Sequence, residues 1–230
     1  MNLIMKQMPV VVSALNIGFL QTLKLFIVTL VGALPLGLVI AFGSMSHLTP
    51  LSWLARLIVW VIRGTPLMIQ LLIIYYFPGL VLHNPIWGGG ETGRFLAAAV
   101  SFIINYACYF SEIYRGGIQG VPEGQKEAAK SIGMTGLQAF FRVIFPQAVT
   151  VALPMFANQF LSTMKSTSIV FVITVVELFG AAKLFSEDSM RYFEAYMAVA
   201  ILYWLMGVGF EFIFGKMEVR SNRFRKGNLA

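Results

Sequence analysis

Charged residues are scarce in this sequence, and cysteine is almost absent. Asp, Glu, Lys and Arg make up 12% of its 230 residues, against about 25% in an average soluble domain. The hydrophobic share is 58%, with 20 Phe and 12 Met, which leaves too little polar surface to cover a water-soluble globule. This composition predicts an integral membrane protein.

Candidate metal ligands and catalytic groups are also few. The single cysteine, Cys108, lies in an apolar run, so it can form no internal disulfide. His47 and His83 stand alone in loops, without a second ligand at metal-binding spacing. No nucleophile, base and orienting group stand out as a set. We therefore expect no metal site and no catalytic residues on this chain.

The net charge of +7 does not indicate a nucleic-acid partner. Lys and Arg concentrate in loops and near the C-terminus, as expected of loops on the cytoplasmic side of a membrane. A basic stripe interleaved with aromatic residues, which would be typical of a nucleic-acid surface, is not visible. We expect a lipid membrane as the surrounding partner and no nucleic acid.

Five stretches are long and apolar enough to cross a bilayer, which takes about 20 residues of helix. We predict spans at about 14–43, 53–78, 94–114, 147–164 and 193–214, within a single transmembrane domain over 1–230. The segment 77–94 is rich in Gly and Pro and is predicted to be a loop. The result is an all-α membrane protein.

A further apolar segment, 166–182, is interrupted by Glu177. The loop 115–146 carries four Lys/Arg, and the tail 216–226 carries five with one Glu, so both should be cytoplasmic. Because two cytoplasmic points need an even number of crossings between them, 166–182 is predicted to be a short re-entrant or buried segment that lines a cavity. This topology puts the N-terminus outside and the C-terminus in the cytoplasm.

The loop 115–146 has signals for two short helices. Pro122 suits a helix start and Gly133 a helix end. Thr135 and Gln138 have the spacing of a capping box, and Pro146 ends that second helix or begins the next. We predict a helix, a glycine bend and another helix.

Small and charged residues fall together in the first of these helices. Ala128, Ala129 and Gly133 would let another protein surface approach closely, while Glu127 and Lys130 offer charge at the same place. Composition alone leaves an ordinary solvated loop open as the alternative.

The stretch "EAAKSIGMTGLQAFFRVIFP" resembles the EAA loop of ABC-transporter permeases. Glu127, Ala128, Ala129, Gly133 and Pro146 match the motif. The departures are mild, with Val143 where Ile is usual and Phe145 where Leu is usual. "RGTPLMIQLLIIYY", "YFSEIYRGGIQGVPEGQ" and "STSIVFVITVVELF" resemble the polar-amino-acid branch, and the resemblance covers roughly 15–215.

This resemblance implies a type I ABC importer permease fold and a permease subunit of an ATP-driven importer for polar amino acids. In that family the EAA loop forms coupling helices that dock in a cleft of the ATP-binding subunit. The coupling residues implied here are Gly124, Gln125, Glu127, Ala128, Ala129, Gly133 and Met134.

The same resemblance implies partners and a location. These are two copies of an ABC ATP-binding subunit, a second permease subunit as homo- or heterodimer, and an extracytoplasmic solute-binding protein, in the bacterial inner membrane. The chain's own "GGGETGRF" lacks the Lys and Ser/Thr of a P-loop. We therefore expect no cofactor on this chain, with ATP and Mg bound by the partner ATPase.

Polar residues at membrane depth mark a candidate substrate path, because such groups need partners or water. The set is Arg63, Tyr106, Tyr109, Glu112, Arg115, Asn158, Gln159, Lys165, Thr167, Ser168 and Glu177, with Ser162 beside them. Structural alternatives stay open: Arg63 snorkels to an interface or makes a structural pair, Glu112 and Arg115 form an interfacial ion pair, and the two tyrosines simply pack.

The alternative function is a stand-alone secondary amino acid transporter or a channel. An ion-coupled carrier would want paired membrane carboxylates, and Glu177 is the one candidate. A scaffold without transport is a third class. The transported amino acid stays open, since Arg63 and Lys165 favour an acidic or amide substrate and Glu177 favours a basic one.

Overall fold

The described residues form a succession of helices with no strand among them. A computed structural model describes residues 2–226, with side chains described for residue 12 and for residues 15–221. Residue 1 and residues 227–230 of the predicted domain lie outside the described residues. The helices are α1 (Asn2–Ser44), α2 (Thr49–Gly64), α3 (Leu67–Leu80), α4 (Glu91–Gln119), α5 (Glu123–Ser131), α6 (Gly136–Ala139), α7 (Phe145–Ser166), α8 (Leu178–Ser189) and α9 (Tyr192–Lys226).

Two irregular helical segments adjoin α7. A π-helical turn, Phe140–Ile144, joins α6 to α7, and a 3₁₀ segment, Thr167–Ile173, continues from its other end. Four described stretches are long and apolar enough to cross a membrane: Leu15–Ser44, Glu91–Gln119, Gly136–Ile173 and Tyr192–Ser221. The pair α2 and α3 makes a fifth if the bent pair is one span. The prediction of an all-α membrane protein is confirmed.

The predicted continuous helix at 53–78 is wrong in one respect, because the chain bends by 105° between α2 and α3. Pro66 has no N–H to continue a helix, and its ring pushes the preceding residue into extended conformation. Thr65 accordingly has φ −114° and ψ 144°. The apolar run continues across the break, which concealed it in the hydropathy pattern. We name residues 64–66 the hinge.

Helix α4 is the core of the molecule and packs closely along α1. In its apolar window 67% of the residues are buried, compared with 11% in α9. Small residues allow the close approach: a Cβ on Gly37 would lie 2.8 Å from the carbonyl oxygen of Ala107, and one on Gly32 would lie 2.6 Å from Cδ1 of Ile103. Small residues at such contacts are typical of helix packing in membranes.

The segment 166–182 is built from the 3₁₀ segment, a left-handed residue at Thr174 (φ 59°) and the start of α8. Neither piece is long enough to cross a bilayer alone, at seven and 12 residues. Thr167, Val170, Ile173 and Glu177 are buried. The position of this segment relative to a membrane stays a prediction.

Candidate functional site

A polar cleft of about 390 Å³ lies where the hinge meets α4, α7 and the 3₁₀ segment. Its volume falls in the range of small-molecule sites, about 300–1,000 Å³. The lining residues are Arg63, Gly64, Thr65, Pro66, Leu67, Asn105, Tyr106, Tyr109, Gln159, Ser162, Ser166 and Ile169. Broken helices often line substrate sites in membrane transporters.

One buried side chain, that of Gln70, stabilises the bend at the hinge. Its Nε2 contacts the carbonyl oxygens of Ile62 (2.7 Å) and Thr65 (3.1 Å) and the hydroxyl of Thr65 (2.6 Å). These are the backbone acceptors that the break at Pro66 deprives of helical partners. One amide on α3 therefore satisfies the end of α2 and fixes the bend.

The same amide orients Asn105 in the wall of the cleft. Since carbonyl oxygens only accept, the nitrogen of Gln70 must face Ile62 and Thr65, and its Oε1 must face α4. There it accepts from Nδ2 of Asn105 at 2.9 Å. Asn105 is one of the residues that line the cleft, and with its nitrogen bonded to Gln70 it keeps Oδ1 as a hydrogen-bond acceptor.

The cleft contains a guanidinium group that has no carboxylate to itself. Both oxygens of Glu112 accept from Arg115, at 3.0 and 2.6 Å, so that pair is complete. Arg63 approaches the same carboxylate only to 3.6 Å. Its side chain is 42% exposed, and its guanidinium lies 5.2 Å from the ring centre of Tyr109. Two cations thus share one carboxylate, and Arg63 is the one that lines the cleft.

The structure places some of the predicted substrate-path residues in the cleft lining and others outside it. Arg63, Tyr106, Tyr109 and Gln159 line the cleft together. Glu112 and Arg115 lie beside the cleft, outside its lining. Glu112 contacts Arg63, and Arg115 also donates to Gln119 at 2.7 Å.

Other predicted path residues lie outside the cleft lining. Asn158 and Lys165 are exposed elsewhere on α7. Ser168 donates to the carbonyl oxygen of Lys165 (3.0 Å), and the buried Thr167 donates to that of Met164 (2.7 Å). Thr167 and Ser168 thus bond locally to carbonyl oxygens at the end of α7 and are not part of the cleft lining.

Glu177 is a buried structural carboxylate, contrary to our expectation that it meets substrate. It is 0% exposed and caps the N-terminus of α8, accepting from the backbone N–H groups of Phe179 (3.0 Å) and Gly180 (2.9 Å). It also accepts from the hydroxyls of Tyr203 (2.9 Å) and Thr22 (3.3 Å). These bonds join α8 to α9 and α1, with three donors on Oε2 and one on Oε1.

Sequence reasoning missed several cleft residues: Gly64, Thr65, Pro66, Asn105 and Gln70, which supports them. The dipeptide Thr65–Pro66 was the available signal, because a residue before proline disfavours helix. Asn105 and Gln70 gave no signal, since an amide in an apolar helix does not reveal its partner 35 residues away.

The predicted coupling loop forms a second candidate site at α5 and α6. The N–H of Gly133 donates to the carbonyl oxygen of Lys130, and that of Met134 donates to Ala129, a Schellman motif with Gly133 at φ 77°. The capping box of Thr135 and Gln138 is present with both of its hydrogen bonds. The predicted helix, glycine bend and helix are confirmed.

Side-chain exposure in this loop differs from the expectation at one residue. Ala129 is 3% exposed, so it packs within the chain and does not present a surface, whereas Ala128 and Glu127 are exposed. Two apolar side chains protrude instead, Ile132 and Leu137, each 74% exposed. Of the other predicted coupling residues, Gly124, Gln125 and Gly133 are exposed and Met134 is half-buried.

Comparisons with known proteins agree on one family. Residues 33–221 match the family model described as "Binding-protein-dependent transport system inner membrane component". The chain is 34% identical over 200 residues to the "Probable amino-acid permease protein YxeN" of Bacillus subtilis, covering 87% of this chain and 86% of that protein. It is 36% identical over 210 residues to the "L-cystine transport system permease protein TcyB" of the same organism, covering 90% and 86%.

A solved structure has the same fold. It is described as "Crystal structure of an amino acid ABC transporter with histidines" and superposes with a TM-score of 0.82 at 36% identity, covering 91% of this chain and 94% of that one. The match supports a type I ABC importer permease fold, and it favours a permease subunit over a stand-alone carrier or channel.

Proposed function

Since this chain belongs to the family of inner membrane components of binding-protein-dependent transport systems, we propose that it is the permease subunit through which an ATP-driven importer passes polar amino acids. The observation that carries this proposal is the cleft at the hinge, with a partly exposed guanidinium and a ring of hydroxyl and amide groups. The descriptions of YxeN as a probable amino-acid permease and of TcyB as an L-cystine transport permease agree with it.

The cleft offers partners for both charges of an amino acid. Arg63 donates to the α-carboxylate, because the carboxylate of Glu112 is already bound at both oxygens by Arg115. Asn105 Oδ1 accepts from the α-ammonium group, since its amide nitrogen is held by Gln70. The ring of Tyr109 lies against the guanidinium of Arg63 and helps to position it at the cleft.

The coupling loop transmits the energy of ATP hydrolysis in this proposal. Gly124, Gln125, Glu127, Ala128, Gly133 and Met134 belong to the segment that contacts the ATP-binding subunit, and Ala129 supports it from inside. Ile132 and Leu137 are the apolar anchors of the contact, in keeping with an amphipathic helix docking in a groove. ATP and Mg bind on that partner, present in two copies.

The remaining partners follow the family's organisation. A second permease subunit, identical or related, completes the membrane unit, and an extracytoplasmic binding protein delivers the amino acid. The basic loop 115–146 and the basic tail favour a cytoplasmic C-terminus, with the N-terminus outside. Movement of the loop then rocks the connected spans between inward-open and outward-open states.

Substitution of Arg63 tests the proposed substrate site. In the purified complex with its ATPase, Arg63→Ala removes a charge-assisted hydrogen bond and should weaken amino acid binding about 10- to 100-fold. Arg56→Ala is the matched control, since Arg56 lies on the same helix, donates to the carbonyl oxygen of Ser44 and is outside the cleft lining. Equal affinity in Arg63→Ala and wild type would reject the site.

Substitution in the loop tests the coupling role. Glu127→Lys reverses a charge at the proposed contact, and Gly133→Val puts a branched side chain at φ 77°. Both should lose ATP-driven uptake while amino acid binding stays within twofold. Gly209→Val is the control, because a Cβ at Gly209 also meets open space, the backbone φ there is ordinary, and the residue lies on α9 outside the loop. Wild-type uptake in Glu127→Lys and Gly133→Val would show that the loop does not couple.

A further inference from the structure

We infer that the cleft accepts amino acids with neutral or acidic side chains and excludes those with a cationic side chain. This inference rests on the proposed function, because it takes the cleft as the amino acid site. The sequence left the substrate's charge open, since Lys165 and Glu177 gave opposite indications. The structure removes both from the cleft and leaves Arg63.

The lining of the cleft carries a single sign of charge. Among the twelve lining residues, all within the described part of the chain, Arg63 is the one that is charged at neutral pH. The other polar members are hydroxyls and amides, contributed by the hinge, α4, α7 and the 3₁₀ segment. Each element that borders the cleft therefore contributes either neutral groups or a cation.

The carboxylate beside the cleft is already neutralised by cations of the chain itself. Glu112 is bound at both oxygens by Arg115 and lies 3.6 Å from Arg63. Two guanidinium groups around one carboxylate leave this corner of the cleft with a net positive charge. A lysine or arginine side chain directed there would meet repulsion, whereas an acidic side chain would meet attraction.

The hydrogen-bond acceptors that remain in the cleft are too few for a cationic substrate side chain. The α-carboxylate uses Arg63, and the α-ammonium group uses Asn105 Oδ1. The substrate side chain then faces Gln159, Ser162 and Ser166, whose amide and hydroxyls can bond an amide, a hydroxyl or a carboxylate. They cannot neutralise an ammonium or a guanidinium, and burying such a group without a counter-charge is costly.

Arg63, Arg115 and Glu112 together carry a net charge of +1, and the α-carboxylate and α-ammonium group of the substrate cancel each other. Repulsion by this net charge gives the expected size of the effect. Two unit charges about 8 Å apart, at an effective dielectric constant of about 20, weaken binding roughly thirtyfold. We therefore expect lysine and arginine to bind at least tenfold more weakly than the best neutral or acidic amino acid.

Direct binding to the membrane complex tests this selectivity. The permease purified with its ATPase, without the binding protein, is titrated with each of the twenty amino acids and with cystine, because a binding protein would impose its own preference. Support is a neutral or acidic amino acid as the tightest ligand, with lysine and arginine at least tenfold weaker. Lysine or arginine binding as tightly as the best ligand would overturn the inference and leave the proposed function intact. Binding of none of the panel would overturn the proposed site itself.

A charge introduced into the cleft gives the second arm. Gln159→Glu keeps the shape of the side chain and adds a carboxylate to the lining, so it should raise the affinity for lysine and arginine at least tenfold. Gln138→Glu is the matched control, because it makes the same change at the exposed capping box, where Glu can also cap the helix. It should leave the affinities for all the amino acids unchanged. Ser162→Asp replaces Gln159→Glu if that variant does not assemble. Unchanged lysine and arginine affinities in an assembled cleft variant would overturn the inference.

Discussion

The side-chain amide of Asn105 donates to Oε1 of Gln70 at 2.9 Å, which joins the core helix α4 to the hinge between α2 and α3. Through Gln70 the bond reaches the carbonyl oxygens of Ile62 and Thr65 at the end of α2. A single amide pair thus ties the bend in the chain to the wall of the cleft. The geometry of the substrate site depends on this contact as much as on the residues that would touch substrate.

Gln70→Leu should therefore damage both stability and binding. It keeps the volume of the side chain but leaves buried carbonyl and amide groups without partners, at a cost of about 1–3 kcal/mol for a buried unsatisfied group. We expect a lower Tm in detergent and weaker amino acid binding. Gln119→Leu is the control, since Gln119 is exposed and accepts one bond from Arg115. An unchanged Tm in Gln70→Leu would contradict the stabilising role of the bonds between Gln70, the end of α2 and Asn105.

Glu177 should act on stability and not on substrate affinity. Tyr203→Phe removes one of its hydrogen bonds and should lower the free energy of unfolding by about 0.5–1.5 kcal/mol. Glu177→Ala removes the cap and leaves four donors without their acceptor, so its loss should be larger. Thermal unfolding of the purified complex gives this order. A tenfold change in amino acid affinity for Tyr203→Phe at an unchanged Tm would show that Glu177 belongs to the substrate path.

The exposed apolar pair of the loop should control assembly with the ATPase. Ile132→Asp with Leu137→Asp puts two charges where we propose apolar contact, so co-purification of the ATPase should fall at least tenfold. Met190→Asp is the control, because Met190 is equally exposed, at 76%, but lies between α8 and α9. Normal co-purification by the double variant would exclude Ile132 and Leu137 as anchors.

Close packing of α1 on α4 gives a test that is independent of function. A Cβ on Gly37 would lie 2.8 Å from the backbone oxygen of Ala107, whereas one on Gly43 would lie 3.7 Å from Cβ of Ala55. Gly37→Ala should destabilise the protein by about 1–3 kcal/mol through overpacking. Gly43→Ala should be neutral or stabilising, because alanine favours helix over glycine. Equal Tm values for the two variants would contradict the close approach.

The sequence was most informative where structure is local. Gly133, Thr135 and Gln138 act on neighbours within a few residues, so their bend and cap were predictable from spacing. The hinge was missed because the hydrophobic run continues through Pro66, and hydropathy outweighed the one local signal.

The role of Glu177 could not be read from the sequence. Two of its four donors, Thr22 and Tyr203, lie 155 and 26 residues away. A lone carboxylate in an apolar segment has the same appearance whether it meets substrate or caps a helix. Arg63, by contrast, lines a polar cleft, and the sequence carried a signal for this because a guanidinium within a predicted span needs partners or water. Its role in a substrate path stays a prediction.

The dependence of uptake on a partner ATPase is the central claim and has a direct test. Vesicles are reconstituted with this chain alone, or with the ATP-binding subunit and binding protein, and accumulation of labelled amino acid is measured with and without ATP on the ATPase side. We predict accumulation only with all components and ATP, and its loss in Arg63→Ala. Accumulation by this chain alone, or accumulation that is independent of ATP, would contradict the account.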